Sequence, residues 1–213
     1  MDIYLYGCGG HAKVILDILY KQGRKVAAFI DDNPPLGVNY IHGVPVKKAS
    51  PQTMSEIEHD YSRWIVAIGS NTIRRRIVEK LESCGYSFTT AIHPSAEIGS
   101  GVDIGEGTVI MANSVVNIDT KIGNHAVINT GSTIDHDCKI GDFCHVAPGC
   151  HLCGQVELSE GVFLGVGSQV IPGVRVGEHT FCGAGSVVVK SLPSSSLVYG
   201  CPAKVVRTNY IQT

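Results

Sequence analysis

The sequence predicts an α/β unit over residues 1–91, an all-β stack of short coils over 92–193, and a tail over 194–213. Three observations predict this. Helix-like and strand-like apolar spacings alternate up to Ala91, an unbroken six-residue apolar repeat starts at Ile92, and only 7% of residues are aromatic while glycine numbers 25. A chain of 213 residues has core enough to fold without covalent staples. Its 17 Lys+Arg against 19 Asp+Glu lack the basic surplus that a phosphate-backbone binder uses to displace counterions, so nucleic acid is excluded as an expected partner. No apolar run approaches the roughly 18 residues that span a bilayer, and Met1 to Leu5 reads as a strand start, so no membrane is expected and the protein is expected to be cytoplasmic. The eight cysteines are then expected to be reduced thiols.

In the α/β unit, Ile3 to Tyr6 forms a short apolar strand. A glycine-rich turn leads into a helix from His11 to Gln22, with Val14, Ile15, Ile18 and Leu19 on one face and Gly23 as its stop. Lys25 to Ile30 and Trp64 to Ile68 are further strands. Asn71 is expected to cap a helix running to Cys84, with Ile73, Ile77, Val78 and Leu81 inward and Gly85 ending it. The pattern is that of a small βαβ unit.

From Ile92 onward, stepping by six meets an aliphatic residue at sixteen of seventeen positions through Val188, with Cys182 the exception. Four residues after each, from Ala96 to Ser186, the residue is always small or β-branched. A period of six fits neither a helix nor a plain strand. Three such faces make an eighteen-residue triangular coil with the aliphatics inside. Glycine or another turn-tolerant residue one place after the aliphatic, as at Gly99, Gly105, Gly123 and Gly141, is expected to make the corner. Seventeen hexads give about 5.7 coils and, at roughly 4.8 Å per layer, a prism about 27 Å tall. Its filled interior sends any active site to an outer face.

Two places carry chemistry. Gly7-Cys8-Gly9-Gly10-His11-Ala12 follows a strand and opens a helix, and Gly7, Gly9 and Ala12 satisfy G-x-G-x-x-G/A, with Asp31 ending the next strand. Such a turn lets phosphate oxygens approach backbone N–H groups at a helix N-terminus. About 90 residues are half of a full dinucleotide fold, which disfavours NAD and leaves a sugar nucleotide or a purely structural turn. His11 reads either as a polar residue of the first helical turn or as a ligand contact. Asp31-Asp32 reads either as a solvated turn or as a contact.

On the prism, His136 is flanked by Asp135 and Asp137, and one coil later stands Gly154, whose missing side chain leaves a notch above the imidazole. Imidazole supplies a base near neutrality for an attacking amine or hydroxyl, and a carboxylate can hold its tautomer. Asp137 reaches it only if the backbone turns between them. Cys150-His151-Leu152-Cys153 has the form of a metal motif. Cys138, Cys144 and Cys150, however, occupy successive inward positions on different faces, where a thiol packs as a small hydrophobe, and no metal is expected.

The hexad pattern resembles the hexapeptide acyltransferases, and that resemblance, not the spacing, implies left-handed coils and a homotrimer with its sites between neighbouring prisms. With the glycine turn, Asp135-His136-Asp137 and the ending Gly200-Cys201-Pro202-Ala203-Lys204, the whole chain resembles the sugar O/N-acyltransferases of the sialic acid O-acetyltransferase type, and most nearly the UDP-4-amino-sugar N-acetyltransferases of bacillosamine synthesis. The resemblance makes residues 1–91 a Rossmann-like sugar-nucleotide-binding domain, 92–193 the left-handed β-helix, and 194–213 a tail closing the coenzyme A site. It implies His136 as catalytic base and Asp137 as the acid raising its basicity. It also implies nucleotide-sugar contacts at Gly9, Gly10, His11, Asp31, Asp32 and Gly69, and acetyl-CoA contacts at His145, Val166 and Ala184. The expected reaction is transfer of acetyl to the amine of a UDP-4-amino-sugar. O-acetylation of sialic acid or another sugar hydroxyl, and a non-catalytic trimeric scaffold, are the alternatives.

Overall fold

A computed structural model describes residues 1–211. The first unit holds strands β1 (Asp2–Tyr6), β2 (Val26–Asp31), β3 (Tyr40–Ile41), β4 (Val44–Lys48) and β5 (Ser62–Val66), with helices α1 (Gly10–Lys21), α2 (Pro51–Ser55) and α3 (Asn71–Ser83). The sheet order is β3-β4-β2-β1-β5, parallel except for β3, so the chain leaves β1 toward β2 on one side and reaches β5 on the other. The carboxyl ends of β1 and β5 therefore flank a topological switch point, where open α/β sheets place their ligands.

Both long helices depart from the simple wheel. Val14 is 43% exposed and Leu16 is buried, because α1 packs on its own sheet and also on the prism. In α3 the cap is Ser70, whose hydroxyl accepts from the Ile73 amide, and not Asn71. Ile73 is 39% exposed, and its place inside is taken by Arg74 at 1%. Arg74, Ile77, Val78 and Leu81 stand at i, i+3, i+4 and i+7, the spacing of one helix face.

From Ala91–Ile92 to Val187–Val188, two-residue strands pair in parallel with a register of eighteen, as in Val115↔Thr133 and Val116↔Ile134. Three sheets result, forming a triangular prism. Face one carries the outward ladder Ala91, Val109, Val127, His145, Phe163 and Phe181. Face two begins at Glu97 and includes Val115 and Thr133, while face three carries Asp103, Lys121, Lys139, Glu157 and Arg175. From Ile110 onward the hexad aliphatics and Cys182 fill one buried core. The inward small residues are more than filler. The Thr108, Ser114 and Thr120 hydroxyls and the Cys138, Cys144 and Cys150 thiols each donate to the carbonyl fifteen residues on, satisfying corner groups that face the interior.

The corner glycines act differently from the expectation. The left-handed residue of each corner lies three places after the aliphatic, at Gly101, Asp119, Asp137, Gly149 and their equivalents. The glycines one place after it have ordinary φ, but a Cβ on Gly99 or Gly165 would stand 2.6 Å from the backbone nitrogen of the next coil. Close stacking of coils, not turn conformation, requires them.

The α/β unit sits on face one. α1 packs over Ala91, Val109 and Val127, while Arg24 donates to the Thr90 carbonyl and Gln22 to that of Ile92. At the other end, strand Leu197–Gly200 extends the face-one sheet, and Ala203–Arg207 pairs with it antiparallel. No helix among the described residues is long and apolar enough to cross a membrane.

Candidate active site

The residues singled out in the first unit gather at the carboxyl ends of β1, β2 and β5. Gly7 has φ +103, and a Cβ there would stand 3.1 Å from the Ala67 carbonyl oxygen, so the fold itself requires this glycine. Gly9, Gly10 and Gly69 have ordinary φ, and a Cβ on any of them would meet nothing within 4 Å. The fold does not require them, and the space they leave opens toward whatever approaches the turn. α1 has Gly9 at its cap position, with no side-chain cap and no acidic residue in its first turn, which leaves N–H groups for an anion. Asp31 accepts from the Cys8 amide at 2.9 Å and from the Asn33 amide at 2.9 Å, fixing the turn. Asp32 accepts from the Tyr6 hydroxyl at 2.8 Å.

Beneath this turn runs the seam with the prism. His145 faces the Gly69 carbonyl through Nδ1 at 3.0 Å and the Asn129 amide through Nε2 at 3.2 Å, and its ring lies 6.4 Å from that of His11. Burial, then the nearby Arg74 cation, push the imidazole of His145 down to about 3 and that of His11 to about 4, so both are neutral near pH 7. A cleft of about 310 Å³ opens over His145, walled by Gly69, Ser70, Phe163 and Phe181. Phe163 and Phe181 stack at 4.7 Å between centroids. Asn129 and Arg74 escaped the sequence reading: Asn129 takes the turn position one place after an aliphatic, and Arg74 belongs to the run Arg74-Arg75-Arg76, whose charge masks its helical spacing.

His136 lies elsewhere, at the corner between faces two and three, half exposed. Asp137 has φ +58, which turns the backbone so that its Oδ2 meets His136 Nδ1 at 2.7 Å. Asp135 accepts from the His136 amide and from Asn117 Nδ2, both at 2.9 Å. The Asp137 hydrogen bond raises the His136 pKa above its ordinary value. The expected notch is present: a Cβ on Gly154 would stand 2.6 Å from His136 Nε2. The ring thus has one nitrogen held by a carboxylate and the other facing a coil position that has no side chain, the arrangement of an oriented general base. Val166 and Ala184 are exposed on a third line, the corner between faces one and two.

A triangle separates these groups. The α/β unit covers face one, and the corner that carries His136 is the one opposite that face. Within one chain, therefore, the glycine turn and His136 stand on opposite sides of the prism.

Residues 2–81 match the family model described as the PglD N-terminal domain, and residues 119–154 match that of the bacterial transferase hexapeptide (six repeats). PerB from Caulobacter crescentus, solved in complex with CoA and GDP-perosamine, is 42% identical, covers 97% of this chain and 98% of its own, and superposes with a TM-score of 0.90. The chain belongs to the PglD-type, acetyl-CoA-dependent sugar N-acetyltransferases. The acetyltransferase domain of PglB from Neisseria gonorrhoeae is 30% identical over 96% of this chain and 99% of its own, with a TM-score of 0.88, and has also been solved with acetyl coenzyme A. Among curated proteins, the UDP-N-acetylbacillosamine N-acetyltransferase of Bacillus subtilis is 34% identical over 114 residues, and the match spans 51% of that protein's length. The prism of a PglD-type enzyme is the left-handed β-helix that the family resemblance implied.

Proposed function

We propose that this PglD-type enzyme transfers acetyl from acetyl-CoA to the 4-amine of a nucleoside-diphosphate 4-amino-sugar, with His136 as general base. The observation that carries this is the His136 corner: Nδ1 is held by Asp137 at 2.7 Å, and the ring edge bearing Nε2 lies over Gly154, in the space a side chain there would take. The relatives support it, since structures of the Caulobacter enzyme include variants in which one histidine is replaced by Asn or Ala, each in complex with CoA and GDP-perosamine.

In the step itself, Nε2 takes a proton as the amine nitrogen bonds to the thioester carbonyl carbon. The C–S bond then breaks, and the thiolate leaves with the proton returned by the imidazolium or by water. Asp137 keeps Nδ1 protonated and steadies the cation. The sugar nucleotide lies on the Gly9-Gly10-His11 turn with Asp31, Asp32 and Gly69, while acetyl-CoA runs past His145, Val166 and Ala184. Because the turn and His136 of one chain stand on opposite sides of the prism, the base must come from a second copy, and a homotrimer closes such a ring.

The carrier nucleotide has two readings. The family resemblance implied uridine. One relative similar over nearly the whole chain, PerB, was solved with GDP-perosamine, which favours guanosine. Thermal shift with UDP and GDP, followed by thiol release from acetyl-CoA with UDP- and GDP-linked 4-amino-sugars, separates them. Thiol release with none of these acceptors, or with only a free sugar hydroxyl, would overturn the proposal.

A further inference from the structure

Arg74 is the second-largest fully buried side chain in the protein, and every oxygen it meets is uncharged. Nε donates to the His125 carbonyl at 2.9 Å. Nη1 donates to the carbonyls of Ile68 at 3.0 Å and Gly69 at 3.3 Å. Nη2 donates to Asn71 Oδ1 at 2.9 Å and to the carbonyls of Phe143 at 2.9 Å and Cys144 at 3.5 Å. A buried guanidinium without a carboxylate is costly. A structural joint between two apolar surfaces needs none, and the centre of the α1 contact on face one, at Ala91, Val109, Met111 and Val127, is apolar.

The choice of acceptors explains the cost. Ile68 and Gly69 form the turn after β5, on the nucleotide side. Phe143 and Cys144 lead directly into His145, on the cofactor side. His145 Nδ1 in turn faces the Gly69 carbonyl, so turn and strand are held to each other both directly and through the guanidinium. The planar fork fixes both in one geometry, which a point-charge ammonium cannot do.

We propose that Arg74 is a positioning residue that sets the Gly69 turn and the His145 strand in a single register, so that nucleotide sugar and acyl donor bind a shared, preorganised seam. This rests on the function proposed above. Arg74 touches neither substrate and acts through Gly69 and His145.

Arg74→Lys keeps the positive charge and loses the fork. The expected result is a protein that melts cooperatively, with KM for both substrates raised about tenfold or more and kcat changed less, since about 1 Å of misplacement is enough for effects of this order. A merely structural role would lower kcat in proportion to the folded fraction and leave both KM values unchanged, and that outcome overturns the proposal. Because Arg74→Lys could fail to fold, hydrogen exchange on the unaltered protein supplies a second reading. CoA alone should slow exchange across residues 67–71 as well as near His145. If CoA protects the prism and leaves 67–71 unchanged, the coupling is refuted while the enzymatic reading stands. If CoA protects no segment at all, the enzymatic reading itself fails.

Discussion

Two histidines nine residues apart on the same prism have opposite chemistry. His136 stands at an open corner against a carboxylate, which raises its pKa. His145 lies in the seam among carbonyls, rings and a buried guanidinium, and is pushed down to about 3. The first is an exposed imidazole with a carboxylate on Nδ1, and the second is a neutral, shape-defining group. The hexad sets where an imidazole stands along the coil, and what covers that face sets what it can do.

The comparison breaks most readily at His136. His136→Ala should lower turnover by about 10² to 10⁴-fold without lowering the melting temperature, as expected of a half-exposed general base. Undiminished turnover would remove the assignment. Gly154→Ala tests the same atom without touching it. Its methyl would fall 2.6 Å from Nε2, and displacing the ring should cost about 10²-fold in kcat. Asp137→Asn should reduce kcat by roughly tenfold and also move the acid limb of the pH–rate profile. In the proposed mechanism the neutral ring is the active form, so activity falls as pH drops through its raised pKa. Removing the carboxylate lowers that pKa, and the limb moves to lower pH. A limb that stays in place would show that another group sets it.

The seam predicts a stability effect of the opposite sign. His11 and His125 are held at about 4 and His145 at about 3, in each case first by burial and then by Arg74, whereas an unfolded chain's imidazoles titrate near 6.5. Between these values the unfolded state binds more protons. Stability therefore falls as pH drops below about 6.5, by up to about 1.4 kcal/mol per pH unit for each ring, and the slope levels off below about 4 for His11 and His125 and below about 3 for His145. Denaturant midpoints at pH 7, 6 and 5 check this. A flat series would mean that these rings are not buried in solution. His136 carries the reverse linkage: its charged form favours the folded state below the unfolded pKa, and that contribution is lost as pH rises through the raised one.

The prism was legible because each coil repeats one local rule. Its aliphatics face a single axis, so spacing alone places Ile134, and with it His136 two residues on. The docking face was legible in principle too. One residue before each aliphatic, face one reads Ala91, Val109, Val127, and face three reads Asp103, Lys121, Lys139. The role of Gly99 and its equivalents was misread because contact between coils leaves no mark on φ. Arg74 was hidden by composition, since three consecutive arginines suggest solvent even where 74, 77, 78 and 81 trace an inward face. That the glycine turn and His136 stand on opposite sides of the triangle depends on which face the first unit covers, which no local pattern states.

The antiparallel strand Ala203–Arg207 has a consequence beyond the site. A parallel coil stack ends in unpaired backbone groups that could template another molecule's strand, and repetition of that event grows a fibre. On face one the terminal strand is reversed, and Lys204 and Arg207 lie on it, so another molecule arriving at that edge meets reversed polarity and positive charge. The same reversal finishes the longest of the three prism sheets and guards its edge against end-on growth.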